Sequence, residues 1–207
     1  MTAFGALFDR VRETSPLVHC ISNLVSANDC ANIVLAAGAS PIMADDPEEV
    51  EEITALSRAL CLSLGTPTPR KAEAMVKAGR TAARLGLPMV FDPVGVGASQ
   101  FRQSIAAEVL REVPVTVLRC NASELQALSG LAQVSRGVDA GKTLPPEDLR
   151  PLAEQFAAQH HCVAAVTGAE DIVTDGKTTH ILRNGTPLLR RVTGAGCMLS
   201  VLTAAFV

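Results

Sequence analysis

The chain has 207 residues, of which 48% are hydrophobic and 19% are charged, and its formal net charge is −3. That composition predicts a compact soluble domain and excludes disordered and fibrous proteins. Acidic and basic residues are interspersed, and Trp and Tyr are absent, so the sequence offers nucleic acids neither a basic face nor a base-stacking platform. The apolar runs are shorter than the roughly 18–20 residues that span a bilayer, and there is no signal-peptide pattern, so we expect a cytoplasmic protein without membrane contact.

Short apolar runs alternate with amphipathic segments, as in proteins built from βαβ units. The predicted strands are residues 17–21, 40–44, 59–64, 88–91, 115–118 and 163–166. The amphipathic segments between them predict right-handed crossovers and a mostly parallel sheet. We therefore expect a doubly wound α/β fold in a single domain over residues 1–207. Residues 137–146 are the predicted surface loop.

Local sequence signals predict where some elements begin and end. Gly38 is expected to end the helix that precedes Ala39. The segment Asp46-Pro47-Glu48-Glu49 is expected to form the first turn of a helix, with Pro where no N–H is needed and acids near the positive end of the dipole. Asp175-Gly176 is a turn dipeptide, and it predicts a hairpin of residues 171–174 and 177–182 at one edge of the sheet.

The six cysteines are scattered along the chain, at positions Cys20, Cys30, Cys61, Cys120, Cys162 and Cys197. None of them forms a C-x-x-C pair or has a histidine at zinc-binding spacing. The pattern therefore indicates neither a disulfide framework nor a metal cluster. We expect most of these side chains to be small, buried hydrophobic groups.

Polar and glycine-rich segments follow several predicted strands, at the end of the sheet where open parallel sheets bind their ligands. These segments are residues 41–46, 92–97, 119–124 and 167–168, together with residues 193–197 at the start of the last predicted helix. The chemistry of the protein is expected at this end of the sheet.

Residues 193–197 form the segment with the most chemical character. Gly194 and Gly196 allow the backbone to approach a ligand, and the apolar residues after them predict a helix whose first N–H groups face an anion. Cys197 would lie in the first turn of that helix, where the dipole is expected to lower the thiol pKa from about 8.5. The alternative is a tightly packed glycine turn beside a buried cysteine.

Three charged residues at strand ends each have two interpretations. Asp92 can face a cation or phosphate, or it can simply form a turn before Pro93. Glu124 lies three residues after Asn121, so it can complete a capping box or point toward a hydrated magnesium ion. Arg119 can bind a nucleotide phosphate or make a surface salt bridge.

Common nucleotide-binding fingerprints are incomplete in this sequence. Asp171 occupies the position where a P-loop needs its first glycine. Gln100 and Leu199 occupy the third glycine position of two possible dinucleotide fingerprints, so a nicotinamide-dependent dehydrogenase has only weak support. The chain also lacks the G-x-S-x-G elbow of many hydrolases.

Taken together, the motifs resemble those of the hydroxyethylthiazole kinases, ribokinase-like enzymes of thiamine salvage. The matching segments are residues 16–23, 38–44, 92–98, 119–124 and 192–197. They follow the order of the family and are spread over nearly the whole chain. The resemblance implies a ribokinase-like fold and the transfer of the ATP γ-phosphoryl group to the hydroxyl of 4-methyl-5-(2-hydroxyethyl)thiazole.

The same resemblance implies roles for the ligand contacts. Asn23, Met43 and Gly194 are similar to the thiazole contacts of the family. Arg119 and Thr167 are similar to its ATP contacts. The family is trimeric, with thiazole sites between subunits, so the resemblance also implies a homotrimer.

The catalytic and metal positions are likewise implied by the resemblance. Cys197 takes the catalytic position, and Asp92 and Glu124 match the magnesium-phosphate site that serves ATP. The transferring phosphoryl oxygens would lie in an anion hole formed by Gly194, Ala195, Gly196 and Cys197. Because phosphoryl transfer depends mainly on positioning and on charge stabilisation, a strong base is not essential here.

The chain departs from the family pattern in two places. Relatives commonly have Asn before the Gly-Thr pair, whereas this chain has Leu62-Ser63-Leu64-Gly65-Thr66. Members of the family usually continue for several helices after the catalytic Cys, whereas this chain stops at Val207. We therefore expect a kinase domain that lacks the C-terminal helices. The alternatives are a truncated, non-catalytic chain that binds a ligand or partner, and a related hydroxymethylpyrimidine or sugar kinase.

Overall fold

The structure, a computed structural model, describes residues 3–131 and 144–207 and consists of an eight-stranded sheet covered by helices. The strands are β1 (Leu17–Ile21), β2 (Ser40–Met43), β3 (Ala59–Ser63), β4 (Met89–Asp92), β5 (Val117–Asn121), β6 (Val163–Thr167), β7 (Asp171–Thr174) and β8 (Thr179–Leu182). The helices of these residues are α1 (Ala3–Thr14), α2 (Ala27–Ala37), α3 (Val50–Leu56), α4 (Pro69–Leu85), α5 (Gln100–Glu112), α6 (Ala122–Leu128), α7 (Pro146–His160) and α8 (Ala195–Phe206). Short 3-10 turns lie at Val96–Ala98 and Pro187–Arg191.

The strand order in the sheet is β2-β1-β3-β4-β5-β6-β7-β8. Strands β1 to β6 pair in parallel, and β7 and β8 are antiparallel at one edge. The predicted α/β fold, the mostly parallel sheet and the edge hairpin are thereby confirmed. The order of the strands reverses between β1 and β3, and the carboxyl ends of those two strands form the switch point where open sheets bind ligands.

Two apolar cores lie on opposite faces of the sheet. One core, which includes Leu60, Phe91 and Leu118, packs against helices that include α4 and α5. The other includes Val18 and Val201, and α2 and α8 cover it. Because central strands of this kind are buried on both faces, their apolar runs are continuous rather than alternating.

Several predicted strand ends differ from the structure by one to three residues, because backbone pairing continues into polar positions. Strands β4, β5 and β6 include the polar residues Asp92, Asn121 and Thr167, which the apolar pattern had placed just after the strands. Asp92 pairs with Ser63, and Asn121 pairs with Thr167. Two candidate site residues, Asp92 and Thr167, are therefore the last residues of their strands.

The helix-end predictions had mixed outcomes. Gly38 ends α2 in the left-handed conformation with φ of 98°, as predicted. The prediction for residues 46–49 is wrong, because α3 begins at Val50. The Asp46 carbonyl accepts from the N–H groups of Glu49 and Val50, and the Asp46 carboxylate accepts from Glu48, so this segment is a turn that precedes the helix. Most of the loop predicted at residues 137–146 lies outside the described residues.

The cysteines behave largely as predicted. All six are free thiols, five of them are buried, and Cys197 is half-buried. Within residues 3–131 and 144–207, no helix is both long enough and apolar enough to cross a membrane.

Candidate functional site

The candidate site lies where the carboxyl ends of the central strands meet the N-terminus of α8. Asn23 follows β1, Asp92 ends β4, and Arg119 is the middle residue of β5. Thr167 ends β6, and Cys197 is the third residue of α8. Residues predicted from five separate segments are thus brought to one end of the sheet, as its parallel topology requires.

Cys197 is held by the side chain of Asn23, whose Nδ2 donates a hydrogen bond to the thiol Sγ at 3.2 Å. Burial raises the pKa of the Cys197 thiol to about 11, and the nearby Asp92 carboxylate contributes to that rise. The predicted decrease in this pKa is therefore wrong, because desolvation outweighs the effect of the helix N-terminus. Cys197 is a protonated thiol at neutral pH, so it is suited to positioning a hydroxyl group and poorly suited to removing its proton.

Asp92 is a fully buried carboxyl group at the centre of the site. Its Oδ2 accepts a hydrogen bond from Ser200 on α8 at 2.9 Å. Its Oδ1 has no hydrogen bond within the described part of the chain, and it lies 3.6 Å from Nη1 of Arg119. Burial raises the pKa of Asp92, whereas the Arg119 guanidinium opposes that rise.

Arg119 connects Asp92 to the neighbouring strand. Its Nη2 donates a hydrogen bond to the Thr167 hydroxyl at 2.6 Å. The guanidinium lies so close to the backbone of Gly196 that a Cβ there would collide with it. The Arg119 side chain is only 12% exposed, so its pairing with Asp92 is a buried ion pair and not the surface salt bridge considered as an alternative. The two predicted ATP contacts, Arg119 and Thr167, therefore touch each other beside α8.

The start of α8 has the backbone form that an anion site requires. Gly194 is left-handed with φ of 78°, and a Cβ added there would lie 2.7 Å from that of Ser26, so glycine fits where a larger residue would not. The first N–H groups of a helix lack partners within the helix and face outward. One of the backbone amides predicted to form the anion hole already has a partner, because the N–H of Ala195 donates a long hydrogen bond of 3.4 Å to the Val192 carbonyl.

Glu124 forms the capping box that the sequence spacing allowed. Its Oε2 accepts from the backbone N–H of Asn121, whose side chain accepts from the N–H of Glu124. Its Oε1 accepts from the N–H of Gly95 at 2.9 Å. Burial and the charge of Asp92 raise the pKa of Glu124 to about 7. The capping role is thus present, and the carboxyl group is close enough to Asp92 to interact with it electrostatically.

The carboxyl groups of Asp92 and Glu124 are compatible with a magnesium ion that accompanies a nucleotide. Magnesium prefers oxygen ligands and commonly binds through one or two carboxylates, water and substrate phosphates, without a complete protein cage. The orphaned Oδ1 of Asp92 supplies such an oxygen. No cluster of three or more His, Cys, Asp or Glu residues suited to a metal was found within residues 3–131 and 144–207.

The other side of the site is formed by Asn23 and the loop after β3. The Asn23 Oδ1 accepts from the N–H groups of Val25 and Ser26, which fixes the amide orientation. Gly65 approaches Asn23 so closely that a Cβ would collide with its side chain. Met43 pairs with Cys20 at the last position of the edge strand β2, and it is 39% exposed.

Two further polar residues, Ser200 and Lys71, support this site and were not predicted from the sequence. Ser200 lies three residues after Cys197 on α8, so the helical period could have identified it as a residue on the same face of that helix. Lys71 is buried, although it lies on the strongly amphipathic α4, where a lysine is normally exposed. No sequence signal distinguished it from a residue on a solvated face.

Comparison with known proteins gives consistent results. A sequence model of the family described as HK, hydroxyethylthiazole kinase, matches residues 8–207. This chain is similar to a hydroxyethylthiazole kinase from Clostridium beijerinckii, with 48% identity over 206 residues that cover 98% of this chain and 74% of that protein.

Solved structures agree with the sequence comparison. The structure of a hydroxyethylthiazole kinase from Pyrococcus horikoshii has a TM-score of 0.86 and 41% identity, covering 97% of this chain and 74% of that chain. A ribokinase-like superfamily protein from Enterococcus faecalis has a TM-score of 0.64 and 10% identity, covering 94% and 72% of the two chains. At such low identity the second likeness shows the fold alone, which is ribokinase-like.

Proposed function

This chain belongs to the hydroxyethylthiazole kinase family, and we propose that it transfers the γ-phosphoryl group of ATP to the hydroxyl oxygen of 4-methyl-5-(2-hydroxyethyl)thiazole. The bond between the γ-phosphorus and the bridging oxygen breaks, and a bond between that phosphorus and the hydroxyethyl oxygen forms. The hydroxyl proton is released, and the products are ADP and the thiazole phosphate. One observation carries the proposal: the Asn23–Cys197 contact of 3.2 Å lies at the N-terminus of α8 beside the Arg119–Asp92 pair.

Charge stabilisation is assigned to Arg119 and to the amides at the start of α8. Phosphoryl transfer passes through a transition state whose charge is spread over the phosphoryl oxygens, so fixed positive groups have the largest effect. The guanidinium packed against Gly196 supports this assignment, because it places a cation and backbone N–H groups around one small volume. Thr167 orients the guanidinium through its hydroxyl and completes the proposed ATP contacts.

Cys197 is proposed to orient the substrate hydroxyl for in-line attack. Its thiol remains protonated at neutral pH, and Asn23 holds the sulfur in place. The transition state of this reaction needs little proton removal before the phosphorus–oxygen bond forms, so an oriented hydroxyl is sufficient. Cys197 then acts by geometry and contact with the reacting oxygen.

Magnesium is proposed as the ion bound with ATP, held by Asp92 and Glu124. When bound, the ion would neutralise charge on the phosphates. Asp92 would bind through its free Oδ1, while Ser200 keeps the carboxyl group oriented through Oδ2. Glu124 would contribute through water, because both of its oxygens accept from backbone N–H groups.

The thiazole is proposed to lie against Asn23, Met43 and Gly194. These residues present an amide, an exposed thioether and a bare backbone, which suit a small neutral ring. The homotrimer with shared thiazole sites, the cytoplasmic location and a single kinase domain over residues 1–207 are further parts of the proposal, and they rest on the family.

The direct test is product formation by the purified 207-residue chain. Folded protein, verified by circular dichroism, is mixed with magnesium-ATP and hydroxyethylthiazole, and both ADP and the thiazole phosphate are quantified by mass spectrometry. We expect the two products in equal amounts, and we expect ADP formation to fall sharply in Asn23→Ala. A folded chain that releases no thiazole phosphate would overturn the proposal.

A further inference from the structure

Lys71 is an ammonium group in an unfavourable place. Its side chain is only 5% exposed, and it lies in the first turn of α4, whose N-cap is Thr68. Lysine is almost never buried without a partner, and the N-terminal end of a helix repels cations. Burial accordingly lowers the pKa of Lys71, and Asp45 opposes that shift. A lysine that is kept here needs specific partners.

The partners of Lys71 belong to the strand ends beside the acceptor. Its Nζ donates a hydrogen bond of 2.6 Å to the carbonyl of Ser22, the residue immediately before Asn23. The Asp45 carboxylate, two residues after Met43, lies 3.6 Å from the same nitrogen. Hydrogen bonds from a charged donor are shorter and stronger than neutral ones. One ammonium on the helix that follows β3 is therefore joined to the segments that follow β1 and β2.

We propose that Lys71 is a positioning residue for the thiazole acceptor, acting through the Ser22 carbonyl on the backbone of Asn23. This inference rests on the proposed function, because it takes Asn23 as an acceptor contact. The Asn23 amide is also fixed by Cys197 and Ser63, through hydrogen bonds from Nδ2 of 3.2 and 3.4 Å. Those bonds orient the side chain, whereas Lys71 fixes the peptide that precedes it.

Asp45 serves as the counter-ion that keeps Lys71 directed toward Ser22. Its side chain is 53% exposed, so water screens part of its charge and its own contribution is smaller than that of the buried ammonium. The end of β2 has a separate anchor, because His19 Nε2 donates to the Ala44 carbonyl at 2.9 Å. Loss of Lys71 is therefore expected to affect the Asn23 side of the acceptor site more than the Met43 side.

The test compares Lys71→Met with a matched variant on the same helix. Lys77 also lies on α4 and donates to the carbonyl of Pro47 at 3.4 Å, but its side chain is 37% exposed, against 5% for Lys71, and it pairs with Glu73. We expect Lys71→Met to raise the KM for hydroxyethylthiazole roughly tenfold, the size expected for one charge-assisted hydrogen bond, and to leave the KM for ATP within about twofold. Lys77→Met is expected to change neither constant.

A conservative variant keeps the test decisive if Lys71→Met fails to fold. Lys71→Arg retains the charge but replaces the compact ammonium with a planar guanidinium, so its KM for the thiazole should rise by a smaller factor, about threefold. An unchanged thiazole KM in a folded Lys71→Met, or in Lys71→Arg when the Met variant does not fold, would overturn the positioning role. An equal rise in the thiazole and ATP constants would also overturn it, because that indicates general loosening.

A binding measurement separates this inference from the proposed function. Isothermal titration of hydroxyethylthiazole into wild type and both Lys71 variants gives dissociation constants without turnover. If wild type binds the thiazole but makes no thiazole phosphate, the proposed function fails, and the Kd values alone decide the role of Lys71. If wild type does not bind the thiazole at all, both proposals fail.

Discussion

The two halves of the candidate site use different physical means. The proposed nucleotide side, formed by Asp92, Arg119, Thr167 and the start of α8, contains a buried ion pair and a carboxylate oxygen without a hydrogen bond within the described residues. The proposed acceptor side, formed by Asn23, Ser63, Gly65 and Met43, contacts the centre through the Asn23 amide, which donates to the Cys197 thiol and to the Ser63 hydroxyl. The buried Arg119–Asp92 pair therefore lies where phosphates are expected, whereas the residues proposed to contact the neutral ring are themselves uncharged, and Lys71 reaches them only through the Ser22 carbonyl.

This contrast explains where variants should act. Removal of a charge on the nucleotide side leaves its buried partner uncompensated, which affects both stability and transition-state binding. Changes on the acceptor side alter the shape and position of neutral groups, and their effects should appear mainly in the KM of one substrate. Four predictions test that separation, from the largest expected effect to the smallest.

Arg119→Met should have the largest effect, because Arg119 is the cation of the nucleotide side. We expect kcat/KM for ATP to fall roughly 10³-fold, since one fixed cation near the phosphoryl oxygens is lost. Asp92 would also be left buried without its partner, which should lower the free energy of unfolding by about 3 kcal/mol. Steady-state kinetics and denaturant unfolding measure the two effects.

The matched control for that variant is Arg80→Met. Arg80 pairs with Glu112 at 2.9 Å, but its side chain is 61% exposed. Exposed pairs contribute about 0–1 kcal/mol, so activity and stability should both stay close to wild type. Equal losses in the Arg80 and Arg119 variants would contradict the assignment of charge stabilisation to Arg119.

Cys197→Ala probes the junction of the two sides. The variant removes the sulfur that contacts Asn23 and is proposed to orient the hydroxyl, so kcat should fall roughly 10–100-fold while the fold is retained. The KM for ATP should change little, because the alanine keeps the backbone amides. A folded Cys197→Ala enzyme with full kcat would contradict the catalytic role.

Gly196→Ala tests how closely Arg119 must approach α8. A Cβ at Gly196 would displace the guanidinium, which is the far end of a flexible side chain, so the protein should still fold. We expect kcat/KM for ATP to fall roughly tenfold, because about 1.4 kcal/mol of transition-state stabilisation is lost. Gly185→Ala is the control, since a Cβ there meets no atom within 4 Å. The prediction fails if both variants retain wild-type kinetics.

Lowering the pH should destabilise the acceptor side of the folded protein through His19, whose Nε2 donates a hydrogen bond to the Ala44 carbonyl just after β2. Burial lowers the pKa of His19, so the folded protein takes up its proton at a lower pH than the unfolded chain does. The associated stability is present above about pH 6.5 and is lost as the pH falls below that value. We expect the free energy of unfolding to fall as the pH is lowered below 6.5 in a Glu124→Gln background, because the pKa of Glu124 is raised to about 7 and its protonation stabilises the folded wild type over the same range.

Thermal unfolding at several pH values measures that loss, and one variant isolates its source. The pKa of His160 is also lowered by burial, so His160→Gln removes its contribution. A loss that persists in His160→Gln is consistent with His19 as its source. If the loss of stability disappears in His160→Gln, His160 is its source, and the prediction for His19 is wrong.

The sequence predicted the fold, and the gathering of most candidate site residues at one end of the sheet, because both depend on local patterns. Apolar runs identified all six parallel strands, and parallel pairing brings their carboxyl ends together. The capping box at Asn121 and Glu124 was recognisable because it depends on a spacing of three residues along one chain segment.

Properties set by tertiary packing could not be predicted in the same way. The pKa of Cys197 depends on burial and on Asp92, which is far away in sequence, so the local dipole argument had the wrong sign. The burial of Lys71 depends on how α4 packs against the loop after β1, and amphipathic patterning does not encode that contact. Contacts between distant segments decide both cases.

The central claim, that this chain phosphorylates a hydroxyethylthiazole, is tested most directly by substrate competition. Magnesium-ATP is supplied to the folded chain with equal concentrations of hydroxyethylthiazole and hydroxymethylpyrimidine, and all phosphorylated products are resolved by mass spectrometry. The account predicts thiazole phosphate in equal amount to ADP, with no pyrimidine phosphate. Pyrimidine phosphate as the main product, or ADP without a phosphorylated thiazole, would contradict it.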